Sequence, residues 1–430
     1  MAGILALSDD ILDVVLKHLL TRADVSFIPP SVEPERGEWI QSIVSNMLAV
    51  AKLRLVCQKW ANWLYERHLY RMLSFKSSAQ SNAFINQLEQ RRSKNANLPL
   101  PRCRYLKVSE LWTWEKLPPL YRNMKTEFSN LDALLDKFSE TIFTLDLEVI
   151  NFFTLPTATI ERISRIKNLR ALKLGIKFTK GTKLRGASVD RVPNDLPLDS
   201  ECLSSLLKAV PEVAFVDLTD FRPVCSPSIL VESHLAEHQF SNITTLKIDV
   251  KVEGNLDQSG IVCLAAKLPN LKRLSIGGAG YDGQIIRPIL EILRERLEEL
   301  VITDARILEP IQTLSFPKLR LFRLHDWEKR SRDLLKNNMF SSDTLEVLSF
   351  HSSPFHKKRE AFLNIPFDSL HLKRLEFHYT SQSPPPRNYE KLCQDHAVEC
   401  VYIYHGDINM REEDNLNFDL PSAFKTGLKF

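Results

Sequence analysis

Leu271-Lys-Arg-Leu274-Ser-Ile276 is one copy of the hexapeptide pattern that decides the fold of this chain. The pattern is an apolar residue, two variable residues, a second apolar residue, one variable residue and a third apolar residue. Clear copies begin at Leu169, Val213, Ile243, Leu271, Leu297, Leu319, Leu345 and Leu372. A single copy predicts a half-buried strand. Copies at steps of 26, 22, 26 and 27 residues from Leu271 onward indicate stacked units that share one core.

The period of these copies is typical of leucine-rich repeats, whose units are roughly 20 to 29 residues long. Weaker copies begin at Tyr70, Cys103, Ile142 and Val398 and bring the candidate strands to about twelve. Helix-like segments separate them at residues 82–92, 129–139, 200–210, 285–296 and 332–339. The sequence therefore predicts an α/β leucine-rich-repeat solenoid of about twelve irregular units over residues 69–405. Such a horseshoe has a parallel sheet on its concave side and helices on its convex side.

Composition narrows the class of protein. Within 430 residues, no stretch approaches the roughly 20 apolar residues of a membrane span, so we expect no membrane association. Seven cysteines without a Cys-x-x-Cys pair favour a reducing compartment, which fits a cytoplasmic or nuclear location or both. A net charge of +4 gives no support to a dedicated nucleic-acid binder.

The N-terminal residues 1–68 differ from the repeats. The stretch LSDDILDVVLKHLL at 7–20 places its apolar residues at helical spacing, and Ser8 can cap its start. A proline-containing insertion at about 21–38 follows, and residues 39–56 and 58–68 have the pattern of two further helices. The sequence therefore predicts a three-helix domain, the repeat domain, and a flexible C-terminal tail at 406–430.

Two blocks of the N-terminal domain resemble an F-box. Leu7-Ser-Asp-Asp-Ile-Leu12 is similar to its opening segment, although Ser8 stands where the family usually has proline. Leu53-Arg-Leu-Val-Cys-Gln-Lys-Trp60 is similar to its closing segment, and the insertion separates the two blocks. Joined to the repeats, they resemble the F-box and leucine-rich-repeat proteins common in fungi.

The resemblance implies the substrate-recognition subunit of an SCF-type cullin-RING ubiquitin ligase. The F-box would bind a Skp-type adaptor, and through it the cullin, while the repeats bind a protein substrate. The residues implied in adaptor binding are Leu7, Ile11, Leu12, Leu53, Val56 and Trp60. The alternative is a leucine-rich-repeat interaction scaffold whose F-box acts outside ubiquitin transfer.

Catalytic motifs are missing from the sequence. It contains no Gly-x-x-x-x-Gly-Lys-(Ser/Thr), Gly-x-Gly-x-x-Gly, Gly-x-Ser-x-Gly or His-Glu-x-x-His. Cys393, His396 and Cys400 lie close in sequence but lack an evident fourth ligand, so we expect a structural role for them. We therefore expect a protein that is not an enzyme and uses neither a cofactor nor a metal.

The variable positions of the repeats supply candidate binding residues, because side chains alternate between the two faces of a strand. The residue after the third apolar position is His325, His351, His378 and Tyr404 in four successive units. With neighbouring residues, the predicted substrate-binding set on the concave face is Arg323, His325, His351, Arg374, His378, Tyr402 and Tyr404. Arginine and protonated histidine suit an acidic or phosphorylated segment of a partner. The alternative is a solvated sheet face that is polar by default.

Two overlong units carry insertions after their strands. One insertion holds Trp112 and Trp114, and the other holds Lys180, Lys183 and Arg185. Insertions in repeat proteins map to loops on one face, often the binding face, so we expect two recognition loops on the rim. Alternatively, the tryptophans cover the junction with the N-terminal domain, and the basic loop is disordered.

Overall fold

The computed structural model describes residues 8, 10–12, 14–16, 57–95, 98–111, 130–150, 153–177, 200–221, 239–249, 259–277, 286–325, 338–340, 343–351, 365, 367, 370–379 and 389–404. Several sequence predictions lie outside these residues. They are the insertion at 21–38, the tail at 406–430, the rim residues Trp112, Trp114, Lys180, Lys183 and Arg185, and the adaptor-binding residues Leu7, Leu53 and Val56.

Twelve strands of the described residues form one sheet, in which each strand is hydrogen-bonded to the next in the chain. The strands are β1 (Met72–Phe75), β2 (Tyr105–Leu111), β3 (Thr144–Ile150), β4 (Ala171–Lys177), β5 (Phe215–Asp220), β6 (Thr245–Asp249), β7 (Arg273–Gly277), β8 (Glu299–Ile302), β9 (Leu321–Leu324), β10 (Val347–His351), β11 (Arg374–Tyr379) and β12 (Glu399–Tyr404). All neighbouring pairs from β3 to β12 are parallel. Every strand contains the second and third apolar residues of one predicted motif, so the candidate strands are confirmed.

Helices alternate with these strands. They are α1 (Gln58–Arg67), α2 (Ser78–Lys94), α3 (Leu131–Phe138), α4 (Thr157–Ser164), α5 (Ser200–Ala209), α6 (Ser259–Ala266), α7 (Ile286–Leu293), α8 (Leu308–Ile311) and α9 (Tyr389–Asp395), with 3₁₀ turns at Ala305–Ile307 and Asn338–Phe340. In α7 the buried residues Ile286, Ile289, Leu290 and Leu293 recur at the spacing of one helical face. The predicted α/β arrangement of a parallel sheet with intervening helices is confirmed.

A hydrogen bond joins successive units at several of the turns that precede the strands. Asn168 Nδ2 donates to the carbonyl oxygen of Glu140 at 2.7 Å, and Asn242 Nδ2 donates to that of Pro211 at 2.8 Å. Asn270 Nδ2 donates to the carbonyl oxygen of Ser241 at 2.8 Å. Each asparagine directly precedes the first apolar residue of its motif, so a polar side chain fixes the start of the strand against the previous unit.

The chain divides into two compact units. Unit 1 comprises Met1–Ser74, Ala83–Tyr105 and His405–Phe430, and unit 2 comprises Phe75–Asn82 and Leu106–Tyr404. In unit 1, residues 10–12 and 14–16 are helical, and the Trp60 and Trp63 rings lie 5.5 Å apart between centroids. In unit 2, the core is formed mainly by the Leu, Ile, Val and Phe side chains of β2 to β11 and of the helices. None of the described helices combines the length and apolar character that crossing a bilayer requires.

Candidate binding face of the sheet

One face of the sheet in unit 2 carries the polar side chains of the strands. From β2 to β11, the second and third apolar residues of each motif, such as Phe322 and Leu324 in β9, are buried in the core. Because side chains alternate along a strand, the residues between and beside them belong to the opposite face, which we call the polar face. Its middle row holds the single residue between those two apolar positions. From β2 to β11 the row reads Lys107, Asp146, Lys173, Asp217, Lys247, Ser275, Val301, Arg323, Ser349 and Glu376.

The predicted histidine row occupies register positions on the polar face. His351 pairs with His378 between β10 and β11, and His325 directly follows Leu324, the register partner of Phe350. His351 and His378 therefore lie on adjacent strands, and His325 lies directly after the next strand, β9. The side chain of His378 is only 5% exposed and His325 is half-buried, so His378 offers a partner almost no surface. Their role in substrate binding stays a prediction.

Arg323 and Arg374 surround a carboxylate that the sequence interpretation missed. Arg323 Nε donates to Ser349 Oγ at 3.0 Å, and its Nη2 donates to Glu376 Oε2 at 3.4 Å. His378 Nε2 lies 3.5 Å from the same oxygen, and Arg374 Nη1 lies 3.6 Å from Glu376 Oε1. Burial raises the pKa of Glu376, but the neighbouring imidazole of His378 and the charge of Arg323 outweigh burial and hold this pKa below its usual value.

The positive charge predicted for the histidine region is therefore largely compensated within the chain. Besides its contact with Glu376, Arg374 donates through Nε to Glu399 Oε2 at 2.7 Å. Both carboxylates lie on the last two strands, next to the arginines that were expected to attract an acidic partner. This pairing has no direct signal in the sequence, because Arg323 and Glu376 are 53 residues apart.

The register of β12 corrects the placement of two predicted residues. Tyr402 pairs with Phe377 and Tyr404 pairs with Tyr379, so both tyrosines occupy the row of the core residues rather than the polar face. The Tyr402 ring stacks on Phe377 at 5.6 Å between centroids. Val401 and Ile403 take the polar-face positions instead, because they pair with Glu376 and His378.

A second charged group on the polar face occupies the middle row from β2 to β6. Lys107 Nζ lies 3.9 Å from Asp146 Oδ2. The register then pairs Asp146 with Lys173, Lys173 with Asp217, and Asp217 with Lys247. We call these five residues the lysine–aspartate row. The sequence contained its signal, since the residue between the second and third apolar positions alternates in charge over five successive motifs.

Two of the three lysines of this row lie over an aromatic ring. Phe215 lies on the polar face, where it pairs with Ala171 and Thr245. Lys173 Nζ lies 5.7 Å and Lys247 Nζ lies 5.2 Å from the centroid of the Phe215 ring, within cation–π distance. The ring therefore favours an arrangement in which both ammonium groups stay over the same part of the sheet.

The N-terminal unit contains three of the residues implied in adaptor binding that the structure describes. Leu12 is 0% and Trp60 is 6% exposed, so their side chains belong to the core of unit 1, where they cannot offer a partner a large apolar surface. Ile11, in contrast, is 46% exposed, and Val14, three residues later and also helical, is 67% exposed. Val14 was not among the residues chosen from the sequence.

The described residues contain no group of three or more His, Cys, Asp or Glu side chains that could hold a metal ion. Cys393 is buried, and burial together with the neighbouring Cys400 raises the pKa of its thiol to about 12. This thiol therefore stays protonated at neutral pH, which fits the structural role expected from the sequence.

Comparison with known proteins leaves the family open. No protein-family model matches the chain, and a search of curated proteins finds no significant match.

Proposed function

We propose that this chain is the substrate-recognition subunit of an SCF-type cullin-RING ubiquitin ligase. In this role it is not an enzyme: an N-terminal F-box binds the Skp-type adaptor, and leucine-rich repeats bind a protein substrate. The two F-box-like sequence blocks and the strand-by-strand repeat pattern support the proposal. A cytoplasmic or nuclear location is part of it, because such a ligase acts there.

The observation that carries the adaptor contact is the exposed pair Ile11 and Val14. Single exposed apolar residues are common on protein surfaces, but two residues at i and i+3 lie side by side on one helical face. The other side of the same helix buries Leu12 and Leu16 in unit 1. A short helix that is anchored by one apolar face and presents a second to solvent is suited to dock on a partner.

Capture of the adaptor by the tagged full-length chain tests the proposal. We expect the double variant Ile11→Ala, Val14→Ala to lose capture by roughly tenfold or more, since anchors of this kind contribute about 1–2 kcal/mol or more each. The matched control is Ile292→Ala, which removes a 36%-exposed isoleucine from α7 and should leave capture unchanged. Circular dichroism shows whether the variants remain folded.

Two results separate the proposal from its alternatives. Recovery of the cullin together with the adaptor supports a ligase subunit, whereas adaptor without cullin would indicate the interaction scaffold. Unchanged adaptor capture by a folded Ile11→Ala, Val14→Ala variant would contradict the assignment of this helix as the docking element.

A further inference from the structure

The three lysines of the lysine–aspartate row lie at a regular spacing. Lys107, Lys173 and Lys247 belong to alternate strands, β2, β4 and β6, and the row runs perpendicular to these strands. Neighbouring strands in a sheet are about 4.8 Å apart, so the backbone positions of the lysines recur about every 10 Å. The row therefore presents positive groups at two nearly equal steps across the sheet.

The aspartates between the lysines lie deeper than the lysines do. Asp146 and Asp217 are each 5% exposed, whereas the Lys107 side chain is 33% exposed and Lys173 and Lys247 are half-buried. Asp217 Oδ1 also accepts hydrogen bonds from the Thr219 backbone N–H at 3.0 Å and from its hydroxyl at 2.6 Å. Within the row, the lysine side chains therefore lie nearer to solvent than the aspartates, and three lysines exceed two aspartates by one positive charge, while Glu148 and Asp249 follow two residues later on the same face of β3 and β6.

An α-helix matches this spacing better than an extended segment does. Seven residues of α-helix rise about 10.5 Å, so carboxylates at i, i+7 and i+14 share one face and recur at nearly the lysine spacing. In an extended segment, about 10 Å corresponds to three residues, and side chains three apart point to opposite sides. An extended peptide could therefore engage only alternate members of such a series.

We propose that the polar face of unit 2 binds an acidic α-helix of its partner protein, laid across the strands, through Lys107, Lys173 and Lys247. The facing stripe of this helix carries Asp or Glu at i, i+7 and i+14. The inference rests on the proposed function only in taking the helix as part of the substrate. The sequence predicted that an acidic partner binds at the histidine region, where Glu376 and Glu399 compensate the charge of the arginines. The proposed site lies instead on the strands β2 to β6.

Three helical peptides of equal length, the first two of identical composition, test the spacing against the unmodified full-length protein. The first carries Glu at i, i+7 and i+14, the second carries the same residues at i, i+4 and i+8, and the third has Lys in place of Glu at i, i+7 and i+14. Fluorescence anisotropy at low salt should show the first peptide binding at least about fivefold more tightly than the second, with binding weakened by added salt. Equal binding of the first two peptides, or preferred binding of the lysine peptide, would overturn the proposal.

Substitutions test whether the named lysines make the contact. The triple variant Lys107→Gln, Lys173→Gln, Lys247→Gln should weaken binding of the first peptide by about tenfold, as expected for three partly exposed charge pairs. The control variant Lys137→Gln, Lys167→Gln, Lys208→Gln changes the net charge equally but alters residues outside the polar face, and it should bind as the unmodified chain does. A triple Lys→Arg variant keeps the charges and should retain most of the affinity.

Other results of these binding measurements would refute the proposed helix site or the proposed ligase role. Full affinity in a folded triple Gln variant would place the peptide elsewhere and refute the proposal. Tighter binding of single-stranded RNA than of any peptide, lost in the triple Gln variant, would refute it in favour of a nucleic-acid surface. Adaptor capture by the same variants is measured in parallel. If capture is absent while the spacing preference persists, only the proposed ligase role fails.

Discussion

Arg323 and Glu376 meet across an intervening strand: Arg323 Nη2 in β9 lies 3.4 Å from Glu376 Oε2 in β11, and Ser349 of β10 lies between them. The arginine side chain thus joins three strands, since its Nε also donates to the Ser349 hydroxyl. The side chains of Arg323 and Glu376 are 21% and 11% exposed. This pair is therefore shielded from solvent far more than the ion pairs on the helices.

Removal of the arginine should destabilise unit 2. We expect Arg323→Met to lower the free energy of unfolding by about 2 kcal/mol, because Glu376 would keep its buried position with less compensation. The control Arg374→Met affects the more exposed pair with Glu399 and should cost less than about 1 kcal/mol. Urea denaturation followed by fluorescence measures the unfolding free energy of both variants. Equal losses would show that the Arg323–Glu376 pair stabilises the fold no more than the Arg374–Glu399 pair does.

The lowered pKa of Glu376 predicts a loss of stability in acid. A carboxyl group whose pKa is lower in the folded state stabilises the protein fully above its ordinary pKa near about 4.3 and loses this contribution as the pH falls through the folded value. The groups that face it are Arg323, Ser349, Arg374 and His378. Unfolding free energies from pH 6 to about pH 3 should fall less steeply in Glu376→Gln than in the unmodified chain. An identical slope would contradict this assignment.

Two glycines in corresponding strand positions should respond differently to alanine. At Gly277 an added Cβ would overlap Thr303 Oγ1 and lie 2.9 Å from Thr303 Cβ and 2.8 Å from Asp249 Oδ1. Neighbouring strands must shift to admit it, so Gly277→Ala should destabilise by about 1–3 kcal/mol. At Gly175 the nearest atom, Asp220 Cβ, would lie at 3.4 Å, and Gly175→Ala should change stability by less than about 0.5 kcal/mol. Thermal denaturation compares them, and a larger loss at Gly175 would contradict the packing described.

The buried thiols should resist alkylation. Burial raises the pKa of Cys103 and, with Cys400 nearby, raises that of Cys393 to about 12, so neither is a thiolate near neutral pH. Mass spectrometry after brief iodoacetamide treatment at about pH 8 should find Cys57 and Cys263, which are partly exposed, modified ahead of both. Treatment in denaturant is the control and should equalise the four. Fast modification of native Cys393 would indicate that α9 opens.

The strands were predictable because their signal is local. Each motif places two buried residues on one strand, and the periodic copies exclude a chance alternation. The last strand shows the limit of this argument. Val401 with Ile403 and Tyr402 with Tyr404 are both apolar alternations in the sequence. Among the described residues β12 pairs with one strand, β11, and Val401, Tyr402 and Ile403 are all half-buried. Hydrophobicity alone therefore cannot choose between the two registers there.

The candidate site was less predictable because its interactions join distant residues. Arg323 and its carboxylate partner lie in different repeats, and the charge that remains for a ligand depends on that pairing. The lysine–aspartate row was visible in the sequence as charges that alternate from motif to motif. The sequence alone does not show that the five residues are neighbours in space, which follows from the strand register and from the contact between Lys107 and Asp146.

The alternation of charge in that row also guards the order of the strands. All repeats bury similar apolar residues. During folding, a strand could therefore skip its native neighbour and pair with the following strand at little cost in hydrophobic burial. Omission of β3 would set Lys107 directly against Lys173, and omission of β4 would set Asp146 against Asp217, both on a face where like charges repel. The alternating lysines and aspartates thus distinguish repeats that are otherwise similar. Charge repulsion disfavours a misfolded sheet in which one repeat is skipped.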